Sequence, residues 1–348
     1  MRVFAAGEQV SRITCRAIFS RLGFATSRMG QLIQRLFLRL SPGSTSPRLE
    51  RNAPMSASTR PGVLLSQNFL TNSRLVASLL DRFACGGDSM VYEIGPGKGI
   101  ITRQLALRYR RVVAIEKDER LAERLQETFS SWPNVRIHTG DFLRYPLPHT
   151  LFTVVANIPF NITAAIMAKL TTAANPPDSA HLVMQREAAE MFVGRPRESL
   201  RTILVKPWFE TEIIHHFRRT DFAPAPRVDV VMLRLRKRGP PLVSDDDRQF
   251  FRDFVVHVFT HWQPSGTHPL TNLLSTRQRA HAQRSLGFDL ASRPTSLTLQ
   301  QWLHLFEEVK AADHHAMRQR LAGSECRLLR QQARLEKQHR TRTSRAVP

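Results

Sequence analysis

The sequence is poor in acidic residues and in cysteine. Over 348 residues, 29 Asp and Glu stand against 51 Lys and Arg, which gives a formal net charge of +22. So basic a chain favours RNA or DNA over a small acid as partner, although a basic surface without a ligand is the simpler alternative. The three cysteines, Cys15, Cys85 and Cys326, form no CxxC pair, which argues against a disulfide framework and a structural zinc site. We expect no metal and a reducing, cytoplasmic location.

Long apolar runs are also absent. Hydrophobic residues make up 42% of the chain, but no uninterrupted stretch reaches the roughly 18 residues that a membrane span requires. Residues 1–60 hold ten Arg and two acids, and residues 311–348 hold nine Lys and Arg and three acids. These ends supply +8 and +6 of the charge, which leaves +8 on residues 61–310. The body of the protein is therefore basic in its own right, and no membrane contact is expected.

The first sixty residues differ from the rest in composition. They are rich in Arg and Ser and run into SPGSTSPRLERNAPMSASTRPG, where Pro, Ser and Gly argue against regular structure. Three interpretations compete: a disordered RNA-binding arm, an organellar transit peptide, or a misassigned start upstream of a true initiator at Met55. The third is favoured because the motif-bearing body begins only about ten residues after Met55.

Further along the chain, short apolar runs alternate with stretches of helical periodicity. This alternation predicts an α/β fold, in which a mostly parallel, Rossmann-like sheet of seven strands is covered by helices on both faces. The loop between the last two runs contains Pro224 and Pro226 and is too short for a crossover helix, so these runs should pair antiparallel. The predicted strands span residues 90–94, 111–115, 135–138, 152–156, 180–184, 211–217 and 228–235.

The character of the sequence changes after residue 238. GPPLVSDDD is a linker, and the apolar residues that follow recur at helical spacing to about residue 310. Its three aspartates, Asp245 to Asp247, suit a helix N-terminus better than a metal site. We predict a basic, disordered extension (1–60), an α/β domain (61–238), a small all-helical RNA-binding domain (239–310) and a basic tail (311–348).

Three successive strand ends bear residues suited to a nucleoside. VYEIGPGKGIITRQLA runs from a strand through Gly95, Gly97 and Gly99 into a helix, and such glycines permit close backbone approach. A glycine-rich turn of this kind is weak evidence by itself, since similar turns also bind dinucleotides or serve only as tight turns. Glu116 ends the next strand, where it could accept from both ribose hydroxyls or lie on the surface. Asp141 follows the third strand, where it could accept from an adenine amino group or be an ordinary turn residue.

The fourth strand ends in Asn-Ile-Pro-Phe, an arrangement suited to methylating an amino group. The N6 lone pair of adenine is delocalised into the ring, so the site must accept hydrogen bonds from the amino hydrogens. The Asn157 side-chain oxygen and the Ile158 or Pro159 carbonyl can do this, while Phe160 can stack on an extruded base and face a sulfonium cation. The alternative is a strand-end turn with a core phenylalanine.

Together these segments resemble the ribosomal RNA adenine N6-methyltransferases, which include the Erm resistance enzymes, KsgA-type assembly enzymes and mitochondrial transcription factor B proteins. LLSQNFLTN at residues 64–72 is similar to a family segment that contacts the cofactor, which assigns that role to Asn68 and Leu70. DFAPAPRVDVVMLRL resembles the family's FxPxPxV stretch, which places Phe222 on the second face of the target base. The resemblance spans about residues 64–306 and includes at least five motifs in order.

The resemblance implies a function and a set of site residues. EIGPGKG, SQNFL, NIPF and the final QQWLHLF are most similar to the Erm type, although Phe160 stands where most members have Tyr. The implied enzyme is a monomer that methylates a 23S ribosomal RNA adenine and confers macrolide, lincosamide and streptogramin B resistance. The alternatives are a 16S ribosomal RNA dimethyltransferase in ribosome assembly and a nucleic-acid-binding transcription factor of the mitochondrial type. The residues implied to bind S-adenosyl-L-methionine are Asn68, Leu70, Gly95, Gly97, Glu116, Asp141 and Asn157, and those implied in catalysis are Asn157, Pro159, Phe160 and Phe222.

Overall fold

The computed structural model describes residues 68–82, 89–263, 268–287, 289, 292–312 and 314–344. All of them belong to one compact unit. The predicted extension of residues 1–60, with its alternative start at Met55, and residues 64–67 of the LLSQNFLTN segment lie outside the described residues. Among the described helices, none combines the length and the apolar composition that a bilayer crossing needs.

A mixed sheet of seven strands, in the order β4-β3-β2-β5-β6-β9-β7, forms the centre of the fold. The strands from β4 to β6 are parallel, whereas β9 runs antiparallel to both β6 and β7. The α/β fold, all seven strands and the antiparallel pairing of the last two are therefore confirmed, with strand ends within two residues of prediction. The strands are β1 (Phe69–Leu70), β2 (Met90–Ile94), β3 (Arg111–Glu116), β4 (Val135–Thr139), β5 (Phe152–Asn157), β6 (Ser179–Gln185), β7 (Phe209–His216), β8 (Phe222–Ala223) and β9 (Val230–Lys237).

Each central strand contributes to two hydrophobic cores, because successive side chains point to opposite faces of the sheet. Val91 and Val155 pack on one face with the first two helices. Tyr92 and Ala156 pack on the other face with residues of later helices. The helices are α1 (Ser73–Leu80), α2 (Ile100–Ala106), α3 (Glu119–Thr128), α4 (Thr163–Thr172), α5 (Arg186–Val193), α6 (Leu200–Val205), α7 (Arg248–His261), α8 (Thr276–Leu286), α9 (Leu299–Ala312), α10 (His314–Leu321) and α11 (Ser324–Ser344).

The described part of the chain after β9 is helical, as predicted. Aromatic side chains of α7 and α9 form its centre: the Phe251 and Phe306 rings meet edge to face at 5.2 Å, and Phe254 and Trp302 do so at 5.8 Å. All four are buried and belong to the same hydrophobic core as one face of the sheet. The sheet and the helices after β9 thus share one hydrophobic core. The domain boundary at residue 238 stays a prediction.

The aspartates before α7 act differently from the prediction. Asp247 is the N-cap residue by position, yet its side chain makes no capping hydrogen bond. Its carboxylate instead forms ion pairs with Lys310 and Arg318, and Asp245 pairs with Arg248. The predicted position at a helix N-terminus is confirmed, but the Asp247 side chain does not cap the helix, because it bonds to partners about 60 to 70 residues away that local sequence does not reveal.

The C-terminal basic segment packs on α7 through buried charges. The Nε atom of Arg252 donates to the Glu325 carboxylate over 2.8 Å, and the two side chains are only 11% and 13% exposed. The neighbouring Asp253 carboxylate, also buried, accepts from the backbone N–H groups of Gly323 and Glu325 over 3.2 and 2.8 Å. The start of α11 is therefore fixed to the helical region by charge-assisted hydrogen bonds.

Candidate active site

The carboxyl ends of four parallel strands bring the predicted site residues to one edge of the sheet. β2 ends at Ile94, directly before Gly95, and its neighbour β3 ends in Glu116. On the outer side β4 is followed by Asp141, and on the other side β5 ends in Asn157. Ligands of α/β sheets bind in the crevice at such an edge, so the fold gathers these four positions as the sequence predicts.

The glycine turn after β2 is held against β3. The backbone N–H of Gly97 donates to Glu116 Oε2 over 3.0 Å, and that of Gly95 donates to the Ile115 carbonyl over 3.0 Å. Gly97 has φ of +56°, and a Cβ atom there would lie 2.5 Å from the Phe69 ring. A side chain at Gly97 is thus excluded both by backbone conformation and by the close approach of Phe69.

Gly95 differs from Gly97 in its surroundings. Its φ is +64°, yet a Cβ atom there would have no heavy atom of the described residues within 4 Å. The space beside Gly95 is therefore open to a ligand, and the backbone there can approach one closely.

Glu116 is a buried acceptor rather than a surface carboxylate. The residue is only 2% exposed, and its two oxygens accept from the Gly97 and Asp118 amides, each over 3.0 Å. Each carboxylate oxygen has two lone pairs, so these bonds fix the group and leave capacity for two further donors. A pair of vicinal hydroxyls would need two such acceptor positions.

Asp141 lies at the next strand end and is more accessible. Its Oδ2 accepts from Lys117 Nζ over 3.0 Å, and its Oδ1 accepts from the Leu143 amide over 2.9 Å. The hydrogen bond from Lys117 and that from the Leu143 amide hold the pKa of the Asp141 carboxyl below its ordinary value. An ionised carboxylate at this point is an acceptor for an amino group.

Asn157 and Asn68, 89 positions apart in sequence, meet directly. The side-chain Nδ2 of Asn157 donates to the Asn68 carbonyl over 2.8 Å. Because a carbonyl can only accept, this bond fixes the orientation of the amide and leaves Oδ1 as the acceptor. No donor from the described residues bonds to Oδ1. The Asn157 side chain is therefore held in one orientation, with Oδ1 free of hydrogen bonds from the described residues.

The backbone after Asn157 is a tight turn. Pro159 has φ of −61°, and its carbonyl accepts from the Ile162 amide over 3.2 Å as a short 3-10 helix begins at Phe160. Ile158 donates its amide to the Val183 carbonyl of β6 over 3.1 Å. Of the two carbonyls suggested by sequence, that of Pro159 is engaged in the turn, which favours the Ile158 carbonyl as an acceptor for a ligand. The half-buried Phe160 ring packs against the core.

Phe222 and Leu70 are predicted to contact the target base and the cofactor, yet both are buried. The two residues pair across the short β1–β8 ladder and are 4% and 5% exposed. The Phe222 ring meets the Phe217 ring edge to face, with 5.4 Å between centroids. In this structure Phe222 is thus part of a core, and a contact with a substrate base would require the ring to become accessible. Both assigned contacts stay predictions.

Sequence reasoning missed two residues beside the glycine turn. Glu93 in β2 is 1% exposed, and Thr102 Oγ1 donates to its Oε2 over 2.6 Å. Its Oε1 has no hydrogen-bond partner among the described residues, and burial raises its pKa to about 8. The second is Phe69, which lies against Gly97 and stands in sequence between the predicted cofactor-binding residues Asn68 and Leu70. The signal for Glu93 was present, since MVYEI is an apolar strand interrupted by one acid.

These residues fit a nucleoside cofactor with an amino-acid portion. The open space at Gly95 admits a ligand against the backbone, and Glu116 offers acceptors for two hydroxyls. The buried Glu93 Oε1 atom has no hydrogen-bond partner among the described residues, and a polar group of the cofactor could supply one. The polar groups therefore fit such a cofactor in chemical type.

Comparison with known proteins identifies this architecture. The family of ribosomal RNA adenine dimethylases matches residues 63–311. The ribosomal RNA small subunit methyltransferase A of Geobacillus thermodenitrificans is 33% identical over 259 residues, which are 69% of this chain and 88% of that protein. An rRNA adenine N-6-methyltransferase of Saccharopolyspora erythraea is 33% identical over 247 residues, 70% of this chain but only 64% of that protein.

Solved structures agree with these matches. The 23S rRNA methyltransferase ErmE is 32% identical, with a TM-score of 0.65, over 70% of this chain and 100% of that one. A dimethyladenosine transferase from Plasmodium falciparum shares the fold at 20% identity, with a TM-score of 0.56, over 70% of this chain and 97% of that one. The sheet order, the glycine turn and the Asn-Ile-Pro-Phe turn thus occur within a match that spans most of the chain, and this protein belongs to the ribosomal RNA adenine dimethylase family.

Proposed function

We propose that this protein transfers methyl groups from S-adenosyl-L-methionine to the N6 atom of an adenine in 23S ribosomal RNA. Modification of that adenine would confer resistance to macrolides, lincosamides and streptogramin B. The observation that supports this most strongly is the Asn157 side chain, whose Nδ2 is anchored to the Asn68 carbonyl while Oδ1 accepts nothing from the described residues. It is an immobilised acceptor of the kind that an amino group requires.

The residues around the glycine turn would hold the cofactor. Glu116 would accept from the ribose hydroxyls and Asp141 from the adenine amino group, and the Gly95 backbone would lie against the cofactor where no side chain of the described residues intrudes. Asn68 and Leu70 complete the binding segment. When bound, S-adenosylmethionine supplies an electrophilic methyl group on a sulfonium sulfur.

The turn after β5 would present the target nitrogen. Asn157 Oδ1 and the Ile158 carbonyl accept the two N6 hydrogens, which draws the nitrogen towards a tetrahedral geometry and makes its lone pair available. Phe160 stacks on the extruded base, and Phe222 takes its other face once it is accessible. No strong general base is needed, since the N6 protons become acidic as the nitrogen gains a methyl group and one then passes to water.

Similarity to ErmE, which extends over the whole of that chain, favours a large-subunit target. A second candidate is a 16S ribosomal RNA dimethyltransferase. It is favoured by the small-subunit methyltransferase of Geobacillus, which matches over 88% of its length against 64% for the Saccharopolyspora relative. Both candidates use the same chemistry on ribosomal RNA and differ in the adenine chosen.

The test is transfer of labelled methyl groups to protein-free 23S and 16S ribosomal RNA, with the modified base mapped by primer extension. We expect label at a 23S adenine, and a much lower initial rate of labelling when Asn157→Ala replaces the wild-type protein. Label on 16S alone would establish the second candidate. No label on either RNA would contradict both and favour the binding-protein alternative.

A further inference from the structure

Two histidines and a glutamate meet on the outer surface of α8 and α9. His281 of α8 lies with its Nδ1 atom 3.0 Å from Glu308 Oε1, and His304, one turn before Glu308 on α9, has its Nε2 atom 3.8 Å from the same oxygen. One ligand atom from each residue falls within 4.8 Å of the other two. The spacing in sequence gave no hint of this cluster, because its members come from two helices.

The geometry points to a binding site for a divalent first-row transition metal ion, with His281 Nδ1, His304 Nε2 and Glu308 Oε1 as its ligands. Zinc bonds of about 2.0–2.2 Å at tetrahedral angles place neighbouring ligand atoms about 3.3 Å apart. The two separations that involve Glu308 Oε1, 3.0 and 3.8 Å, are near that value, and the ligand atoms of the two imidazoles lie within 4.8 Å of each other. Imidazole and carboxylate suit zinc, cobalt, nickel and copper.

The helices beneath the cluster are rigid, which favours a preformed site. Ala282 and Leu305, each next to a cluster residue, are fully buried in the core. Gln278 Nε2 donates to the Glu308 carbonyl over 2.8 Å, so α8 and α9 are already joined beside the cluster. A bound ion would add a second link between these helices.

The surrounding charges oppose a cation and set the expected strength. Arg277 and Arg284 are exposed on α8, one turn before and one turn after His281, and they outweigh Glu307, because Lys310 on α9 is paired with Asp247. A partly exposed site with three protein ligands and two nearby guanidinium groups should bind zinc in the micromolar range. Because the imidazoles must be neutral to bind, affinity should fall when they are protonated in acid.

The experiment uses the untagged full chain, freed of metal with a chelator and titrated with zinc chloride in a calorimeter at pH 7.5. We expect one ion per chain and a melting temperature that rises by about 4 °C at a hundredfold excess over Kd. His281→Ala and His304→Ala should each weaken binding by more than about tenfold, since loss of even an outer-shell partner costs about that much. Both side chains are substantially exposed, so the variants should fold.

The matched control is His261→Ala, which removes one ring of the stacked His257 and His261 pair of α7. This variant should bind zinc like the wild type. Absence of any binding heat in the wild type would overturn the site. So would zinc binding that survives His281→Ala but is lost with His261→Ala or Cys326→Ser.

Discussion

Glu93→Gln should make the protein more stable in base than the wild type. Burial raises the pKa of Glu93 from 4.5 to about 8. An acid whose pKa is raised by folding costs stability as pH rises from its unfolded-state pKa through its folded-state pKa. The wild type therefore loses stability between about pH 4.5 and 8, whereas glutamine cannot ionise and avoids this loss.

The magnitude follows from the size of the shift. A rise in the Glu93 pKa from 4.5 to about 8 lowers the free energy of unfolding by roughly 5 kcal/mol once the carboxyl is fully ionised. About 4 kcal/mol of this loss develops between pH 5 and pH 9. The side-chain oxygen of the introduced glutamine can still accept the hydrogen bond that Thr102 Oγ1 donates to Glu93. The variant should thus be close to the wild type at pH 5 and several kcal/mol more stable at pH 9.

Urea unfolding of the full chain, followed by tryptophan fluorescence at pH 5 and pH 9, measures the difference. If the free energy of unfolding falls with urea concentration at the same slope in both proteins, the substitution has not changed the denatured state. Glu123→Gln, at an exposed position of α3, is the matched control and should give the same stability difference at both pH values. A difference between Glu93→Gln and wild type that does not change with pH would refute the reasoning.

Three further predictions concern the site. Asn157→Ala should lower kcat about 10²- to 10³-fold while cofactor affinity stays largely unchanged, because its side chain acts on N6; unchanged turnover in single-turnover assays would contradict this. Glu116→Ala should raise the cofactor Kd by more than tenfold through lost charge-assisted hydrogen bonds, and an unaltered Kd by calorimetry would argue against the ribose contact. Gly97→Ala should lower stability by about 2–4 kcal/mol in urea titrations, since it combines a positive φ with a contact on Phe69; a neutral effect would mean that the ring moves freely.

The sheet was predictable because its signal is local. Each central strand is an apolar run bounded by glycine, proline or polar residues, so strand positions emerged within two residues. The β1–β8 pair was missed because two-residue strands have no periodicity to detect. Glu116, Asp141 and Asn157 were identifiable from their places at strand ends, and parallel topology brings such ends together.

Long-range partners account for what the sequence did not reveal. Three features depend on contacts between distant segments: the bond from Asn157 to the Asn68 backbone, the pairing of Phe222 with Leu70, and the ion pair between Asp247 and Lys310. Residue type and local spacing do not encode such partners. The same is true of His281, whose neighbours in the cluster come from another helix.

The attachment of α11 to α7 has a practical consequence for where the chain can be cut. The family match ends at residue 311, which invites a truncation there. Such a cut would remove Glu325 and leave the buried charges of Arg252 and Asp253 without the carboxylate and amide groups that they bond in the full chain. Breaking a buried charge pair costs about 3–5 kcal/mol, so a fragment ending at 311 should unfold at markedly lower urea concentration than the full chain. We therefore expect the folded unit to extend past residue 311, where the family match ends.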